Sequence, residues 1–456
     1  MAVHIPELDP YGPSIRVPDR VDVRLTRRVQ SVVDHREFQR LRRVRQLGPT
    51  HLVYPGAVHS RFEHSLGVYG QVSRFLVSLQ RHPVFASSLS EADLLTVLMA
   101  GLLHDVGHYP FAHSLEALHR RGQETPRHER LGADIIRERL GAVLSRELKV
   151  EPERVARLIE KKPREQPTRI DRLLGTLISG AIDADKLDYL ERDSVHLGVP
   201  YGTSFDAGRL VAALTLNEAE DAIAIAAPGK VSAEQFVFSR YLMFSEAYWH
   251  HAVRGASAMV EAALFDHVRR LPTATPVAPA LLGLLLTRSD DELLADLRRD
   301  APAGSVSARL LDGLTGDERR LHKRLVTYSR AYAEPEKREA YERLYRLDGA
   351  ALDRVTDKMA RAIAKATGRV VRQGDVLVDT PPHDKDRAES IDVRYLGVSG
   401  QGSYPLQELS AVVQGVHADF VQVVKKIRVF VSFELAAACR ERRPELETAL
   451  LEVVLG

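Results

Sequence analysis

The stretch Gly101-Leu-Leu-His-Asp-Val-Gly-His-Tyr-Pro-Phe-Ala-His113 decides how this chain is read. It follows the apolar run Leu94-Leu-Thr-Val-Leu-Met-Ala-Gly-Leu-Leu103, which is too short to span a bilayer and too continuous for a surface helix. The run therefore predicts a buried core helix that delivers polar residues into the interior. Adjacent helical residues point about 100° apart, so His104 and Asp105 reach one ion only where the helix is ending. Gly107 and Pro110 supply that ending. A buried His-Asp pair needs a partner, and a divalent metal suits it. Taken alone, the dipeptide also fits an ordinary hydrogen-bonded pair.

The neighbouring spacings favour a site. His108 lies four residues after His104, and Glu116 lies three after His113, where a carboxylate on the same helical face would orient the imidazole. His64 closes Val58-His-Ser-Arg-Phe-Glu-His64, with Ser60 placed to cap a helix whose third residue is Glu63. His64 is thus a candidate ligand near a helix start, with Arg61 beside it as an anion contact. In Ile182-Asp-Ala-Asp-Lys-Leu-Asp-Tyr-Leu-Glu-Arg-Asp193, residues Asp185, Tyr189 and Asp193 fall on one polar stripe at i, i+4 and i+8. That stripe suits a metal at one end and a sugar-like hydroxyl at the other. An acidic solvated face is the simpler alternative.

Together, His64, His104-Asp105 and Asp185 resemble the H…HD…D metal signature of the HD-domain phosphohydrolases. Gln39-Arg-Leu-Arg42, Gln46-Leu-Gly48, Tyr54-Pro-Gly-Ala57, Arg61-Phe-Glu-His-Ser-Leu-Gly67, the His104–His113 block and Asp185–Asp193 are similar, more narrowly, to the deoxynucleoside triphosphate triphosphohydrolases related to the SAM-and-HD-domain protein. These blocks run from about residue 34 to residue 206. The resemblance implies a mainly α fold with a helical HD core and a metal site made by His64, His104, Asp105 and Asp185. Two nitrogens and two carboxylates suit iron, manganese, zinc or nickel, with magnesium expected as a second ion. The implied activity is hydrolysis of a deoxynucleoside triphosphate (dNTP) to deoxynucleoside and inorganic triphosphate. Another HD-type nucleotide phosphohydrolase or phosphodiesterase is the enzymatic alternative. A sensor or defence module that binds dNTPs or single-stranded nucleic acid is the non-enzymatic one.

The same resemblance assigns further roles. His128, in Arg127-His-Glu-Arg130, matches a histidine that protonates the leaving group, and His113 with Glu116 is the other general acid/base candidate, His108 lying beside them. Arg61 and Lys186 would contact phosphates, Tyr189 and Asp193 the sugar 3′-hydroxyl, and Gln46 with Leu47 the sugar face. Asp34, Gln39 and Arg42 resemble a guanine-nucleotide activator site, which implies an assembled oligomer, a dimer or tetramer. The sequence departs from the family in two places. Val195-His196-Leu-Gly198 lacks one of two histidines, and the tyrosine expected from the aromatic helix Tyr241–His251 falls at Gly255. Phe244, Tyr248 and Trp249 are then equally readable as core or dimer contacts.

Composition fits a soluble enzyme: 456 residues, 44% hydrophobic and 28% charged, allow one large core or two to three lobes. Net charge +2 argues against a globally basic nucleic-acid binder, although Arg40-Leu-Arg-Arg-Val-Arg45 and Lys161-Lys-Pro-Arg164 read as local anion patches or solvated faces. One cysteine, Cys439, excludes an internal disulfide. With no signal-like start and no run of transmembrane length, no membrane partner and a cytoplasmic location are expected. The expected divisions are an N-terminal segment 1–33, the helical core 34–270, a helical extension 271–370 opening on the Pro-rich stretch Leu271–Pro279, and a smaller α+β lobe 371–456. A hairpin is expected within Leu210–Ala226, strands at Val376, Ile391 and Ile427, and helices over Leu406–Val416 and Phe433–Leu455.

Overall fold

Ser60, Ser90 and Asp183 each stand one residue before a helix that carries the candidate ligands or leads to them. Ser60 accepts from the Glu63 amide, Asp183 accepts from the Lys186 amide at 2.6 Å, and Ser90 forms a reciprocal capping box with Asp93. They start the helices Arg61–Leu79, Glu91–Leu103 and Ala184–Leu197. The computed structural model describes residues 3–18, 21–116, 127–160, 166–271, 285–381, 390–397 and 400–456. The Lys161–Arg164 cluster and all but the first residue of the Pro-rich stretch at 271–279 lie outside them.

The protein is mainly α, with smaller sheets. Every residue from Leu94 to Leu103 is buried, as the apolar run requires. His104 occupies the C-cap position, and the chain turns from there through Gly107 into the short helix Ala112–Glu116. Among the described residues no helix is long and apolar enough to cross a membrane.

Strands β1 (Ser14–Val17) and β2 (Val21–Arg24) form an antiparallel ribbon that the sequence reading did not foresee. Strands β3 (Leu214–Leu216) and β4 (Ile223–Ala226) form the expected hairpin. Within the segment read as wholly helical, Lys323–Tyr328 is a strand, β5. The C-terminal strands β6 (Val376–Asp379), β7 (Asp392–Gly397), β8 (Gly400–Pro405) and β9 (Ile427–Val431) do not form a sheet of their own. They divide between two sheets, ordered β3-β4-β7-β8 and β5-β9-β6.

The packing therefore does not break at 271 and 371. Ile391, Val393, Leu406 and Val413 join the large core of the N-terminal half, while Leu377 and Phe430 pack with Tyr109 and Met259. Two expected helices are also interrupted. Ser410 is extended and caps the second half of one, so that Leu406–Leu409 and Ala411–Asp419 are separate. The other divides at Arg442 into Ala436–Glu441 and Arg443–Leu455, with Pro444 in the first turn of the new helix.

Gly107 is a point of close approach. A Cβ there would lie 2.1 Å from the His128 carbonyl oxygen and 2.3 Å from the Gly132 nitrogen, so the helix His128–Ile135 packs directly on the turn after Asp105. Gly107→Ala is expected to lower stability by about 1–3 kcal/mol through overpacking. Gly175→Ala, whose Cβ meets nothing within 4 Å, is the control and should be neutral or stabilising. Equal urea midpoints for the two variants would contradict this packing.

Candidate active site

The helices Arg61–Leu79 and Ala184–Leu197 face each other, so that His64 enters between two carboxylates of the second. His64 Nε2 lies 3.0 Å from Asp185 Oδ1, and its Nδ1 lies 2.7 Å from Asp188 Oδ2. Burial alone would lower the His64 titration, but Asp185 and Asp188 outweigh it and raise it to about 10. The other helix end adds His104 and Asp105. His104 Nδ1 lies 2.9 Å from the Gly101 carbonyl oxygen, an acceptor only, so Nδ1 carries the proton. His104 Nε2, the nitrogen left to act as a ligand, is buried with no hydrogen-bond partner, 3.4 Å from Asp105 Oδ1 and 3.7 Å from Asp185 Oδ1.

Carboxylate oxygens and imidazole nitrogens gathered this closely suit a cation. His64, His104 and Asp105 offer ligand atoms within 4.8 Å of one another, and Asp185 closes the group. The residues thus fit a divalent ion, and each imidazole is oriented through its other nitrogen, as metal-ligating histidines usually are. Arg61 Nη1 donates to Asp105 Oδ2 at 2.6 Å, while its buried Nε has no partner. Despite complete burial, His108, His104 and Arg61 hold the Asp105 carboxyl well below its usual range.

Beside this group lies a histidine cluster. The His108 and His128 rings are 3.8 Å apart, and His128 Nδ1 lies 2.5 Å from Glu116 Oε1. Glu116 was expected to steer His113. It lies 3.5 Å from that ring, so its closer partner is His128, twelve residues away in sequence. His113 is 65% exposed and His128 only 12%. Burial, with Arg61 adding to it, pushes the His108 titration well down, which keeps that ring neutral.

On the far side of the Ala184–Leu197 helix register, Asp193 is buried with both oxygens engaged. His59 Nε2 lies 2.8 Å from Oδ1, and the Tyr248 hydroxyl donates to Oδ2 at 2.6 Å. Tyr248 also meets Tyr189 edge-on at 6.3 Å, so it belongs to this wall rather than to the core alone. Gly255, the position expected for a tyrosine, packs instead against Phe430 and the His322 carbonyl. Lys186 donates to Asp183 and to the Gly180 carbonyl, each at 2.8 Å. The amide oxygen of Gln46 is buried without a partner, the Gln46 carbonyl accepts from Arg61 at 3.4 Å, and Leu47 is partly buried against the large core.

Asp34 ends the helix Arg27–Val33 and is exposed. Gln39 donates to the Val33 carbonyl and accepts from Arg42, whose guanidinium also lies 3.6 Å over the Phe62 ring. The basic run 40–45 is not one patch. Arg40 is buried and donates to the carbonyls of Val106 and His108, while Arg45 pairs with Asp291.

Sequence reasoning assigned no role to Asp188, Arg192 or His59. The first two carried a signal, an i, i+4 carboxylate–guanidinium pair three residues beyond Asp185. His59 carried none, since it meets Asp193 across 134 residues.

Residues 61–193 match the family model of the HD domain, and residues 205–442 that of the HD associated region, more than half of the chain. The chain belongs to the HD-domain phosphohydrolase family. Within that family it is similar to YwfO of Bacillus subtilis, an uncharacterised protein, with 37% identity over 55% of this chain and 53% of YwfO. An uncharacterised protein of Methanocaldococcus jannaschii is 31% identical over 68% of this chain and 58% of its own. The deoxynucleoside triphosphate triphosphohydrolase SAMHD1 of Gallus gallus is 32% identical over 40% of this chain and 33% of its own. The chain thus spans about half the length, or less, of these curated relatives. Among solved structures, a hypothetical protein from Aquifex aeolicus superposes with a TM-score of 0.65 at 25% identity, covering 94% of this chain and 97% of that one. A phosphohydrolase from Bacteroides thetaiotaomicron shares the fold, with a TM-score of 0.69 at 22% identity over 92% and 99% of the two chains.

Asp188 should act on the HD ligand set through His64. Asp188→Asn is expected to weaken binding of manganese or iron by about 10- to 100-fold. The helical circular dichroism should be kept. Unchanged metal affinity in the folded variant would contradict the role.

Proposed function

We propose that this protein is a metal-dependent phosphohydrolase whose substrates are deoxynucleoside triphosphates, cleaved to deoxynucleoside and inorganic triphosphate. The observation that carries the reading is the convergence of His64, His104, Asp105 and Asp185, with His104 Nε2 left buried and without a hydrogen-bond partner. A divalent ion held by these four residues would supply Lewis acidity to a phosphoryl oxygen and acidity to water. The dNTP substrate is supported by the similarity to SAMHD1 and by Tyr189 and Asp193 on the same helix that carries Asp185, with Tyr248 bonded to Asp193.

The residues around that group divide the work. Arg61, with a free Nε beside Asp105, donates to phosphate oxygens, and Lys186 joins it by exchanging its Gly180 carbonyl partner for phosphate. Glu116 holds the Nδ1 proton of His128 and stabilises its imidazolium, so that Nε2 delivers a proton to the leaving oxygen. His108, kept neutral, packs against His128 and restricts its ring. Asp193 retains lone pairs for a sugar hydroxyl beyond those used by His59 and Tyr248. Asp34, Gln39 and Arg42 are proposed to receive a guanine nucleotide that favours an assembled oligomer.

Each dNTP, incubated with the protein in manganese, magnesium or iron, is expected to yield nucleoside and inorganic triphosphate. Added GTP should raise turnover of the non-guanine substrates in the wild type and not in Asp34→Ala. Release of pyrophosphate or monophosphate instead, or no turnover of any dNTP, would remove the dNTP reading. Identical rates with and without GTP at every protein concentration would remove the activator alone.

The two acid/base candidates are separable by their burial. His128→Gln is expected to lose on the order of 10²-fold in kcat at unchanged metal content. His113→Gln, at the exposed position, should lose less. Near-normal kcat for His128→Gln would take it out of the mechanism.

A further inference from the structure

Both oxygens of Asp193 are held by side chains far away in sequence, and one of the two, His59, is a residue to which the chemistry above gives no part. His59 Nε2 lies 2.8 Å from Asp193 Oδ1, and since a carboxylate only accepts, the ring nitrogen is the donor. The Tyr248 hydroxyl donates to Oδ2 at 2.6 Å. Burial, and after it the Asp193 charge, push the Tyr248 titration well up, so that hydroxyl remains a donor. Two donors fix the plane of the carboxylate, and the lone pairs left on its oxygens keep set directions. The His59 side chain has no exposed surface, so it reaches a ligand only through Asp193.

The ring is held in turn. His196 stacks on it, with the centroids 4.2 Å apart and the planes 18° from parallel, and Glu63 holds His196 Nε2 at 2.9 Å. His59 Nδ1 is buried with no hydrogen-bond partner, so the bond to Asp193 is made through Nε2 alone. The segment before His59 is pressed onto the end of the helix Ala184–Leu197, because a Cβ on Gly56 would come within 2.2 Å of the His196 carbonyl oxygen.

The main chain of His59 serves a second residue of the sugar face. Its carbonyl accepts from the Gln46 amide at 3.0 Å, beside the isolated antiparallel bridge between Arg45 and Ser60. The Arg61 amide donates to the Val44 carbonyl at 2.9 Å and continues the pairing. One residue therefore fixes Asp193 through its side chain and Gln46 through its backbone. Each of these two has an acceptor to spare, a lone pair on the carboxylate and the buried, unpartnered Gln46 amide oxygen.

We propose that His59 is a positioning residue for the sugar 3′-hydroxyl: by fixing the Asp193 carboxylate and the Gln46 backbone together, it sets how strongly the protein distinguishes a substrate that bears this hydroxyl from one that lacks it. The role rests on the dNTP substrate proposed above. A carboxylate released by one of its donors turns about its Cβ–Cγ bond, and the direction of its free lone pairs is lost. A packing role would depend on the volume of the ring. A positioning role depends on which of its nitrogens is replaced.

Initial rates with dATP and with 2′,3′-dideoxy-ATP in manganese, measured on the wild type, His59→Gln and His59→Asn, test this. The wild type is expected to favour dATP by about 10- to 100-fold in kcat/KM, the worth of a hydrogen bond to a charged group. His59→Gln, whose amide nitrogen takes the place of Nε2, should keep most of that preference. His59→Asn, whose amide nitrogen takes the place of Nδ1, should reduce it to about threefold or less, through a higher KM for dATP. Loss of packing alone would lower the two variants together. If His59→Asn does not fold, His196→Ala, which removes the stack and keeps the His59 donor, carries the comparison and should lower the preference in the same direction. Equal preference in the Gln and Asn variants, an unchanged preference in His196→Ala, or a wild type that hydrolyses both substrates alike would overturn the proposal and leave dNTP hydrolysis standing. No turnover of any dNTP would remove the dNTP reading, and the role of His59 with it.

Discussion

The structure depends on a buried chain of alternating charge that joins two helices. Asp188 accepts from both Arg192 Nε and Nη2, at 2.9 and 2.7 Å, and faces His64 Nδ1 at 2.7 Å. Arg192, itself fully buried, reaches on to Glu63 at 2.8 Å. Gly67 makes the arrangement sterically feasible, because a Cβ there would fall 1.8 Å from Asp188 Oδ1. Burying ions is repaid only where geometry and hydrogen bonds are complete, and removing one partner of such a pair typically costs about 3–5 kcal/mol. Each charge in this chain therefore holds its neighbour in place. The terminal link is His64, fixed with its Nε2 toward Asp185.

The same network extends to the opposite wall of the site. Glu63 also meets His196 at 2.9 Å, His196 stacks on His59 at 4.2 Å, and His59 meets Asp193. From Asp193 it passes to Tyr248. A ligand that bridges the His64 side and the Asp193 side would thus touch both ends of one hydrogen-bonded assembly. This is the physical content of having Asp185 and Asp193 eight residues apart on one helix: two carboxylates are held at a fixed separation by two helical turns.

Much of the candidate metal site was legible because its residues announce themselves locally. The run Leu94–Leu103 could only be a core helix, and it had to release His104 and Asp105 where Gly107 ends it. The stripe through Asp185, Tyr189 and Asp193 follows from helical periodicity alone. What the sequence concealed was non-local. Nothing in Arg127-His-Glu-Arg130 says that Glu116 will turn to His128 rather than to His113, because Glu116 and His128 are twelve residues apart in sequence and tertiary packing decides the distance. The C-terminal strands were visible as strands, yet their partners lie far off in sequence, β7 beside β4 and β9 between β5 and β6, so the lobe expected over 371–456 is shared between two sheets.

Anomalous scattering from crystals grown with manganese tests the central claim most directly. The account predicts one ion within about 2.0–2.3 Å of a donor atom from each of His64, His104, Asp105 and Asp185. The neighbouring cluster of His108, His113 and His128 also brings ligand atoms within 4.8 Å of one another, and it is the natural competitor. Manganese found at that cluster alone, with none between His104 and Asp185, would contradict the account.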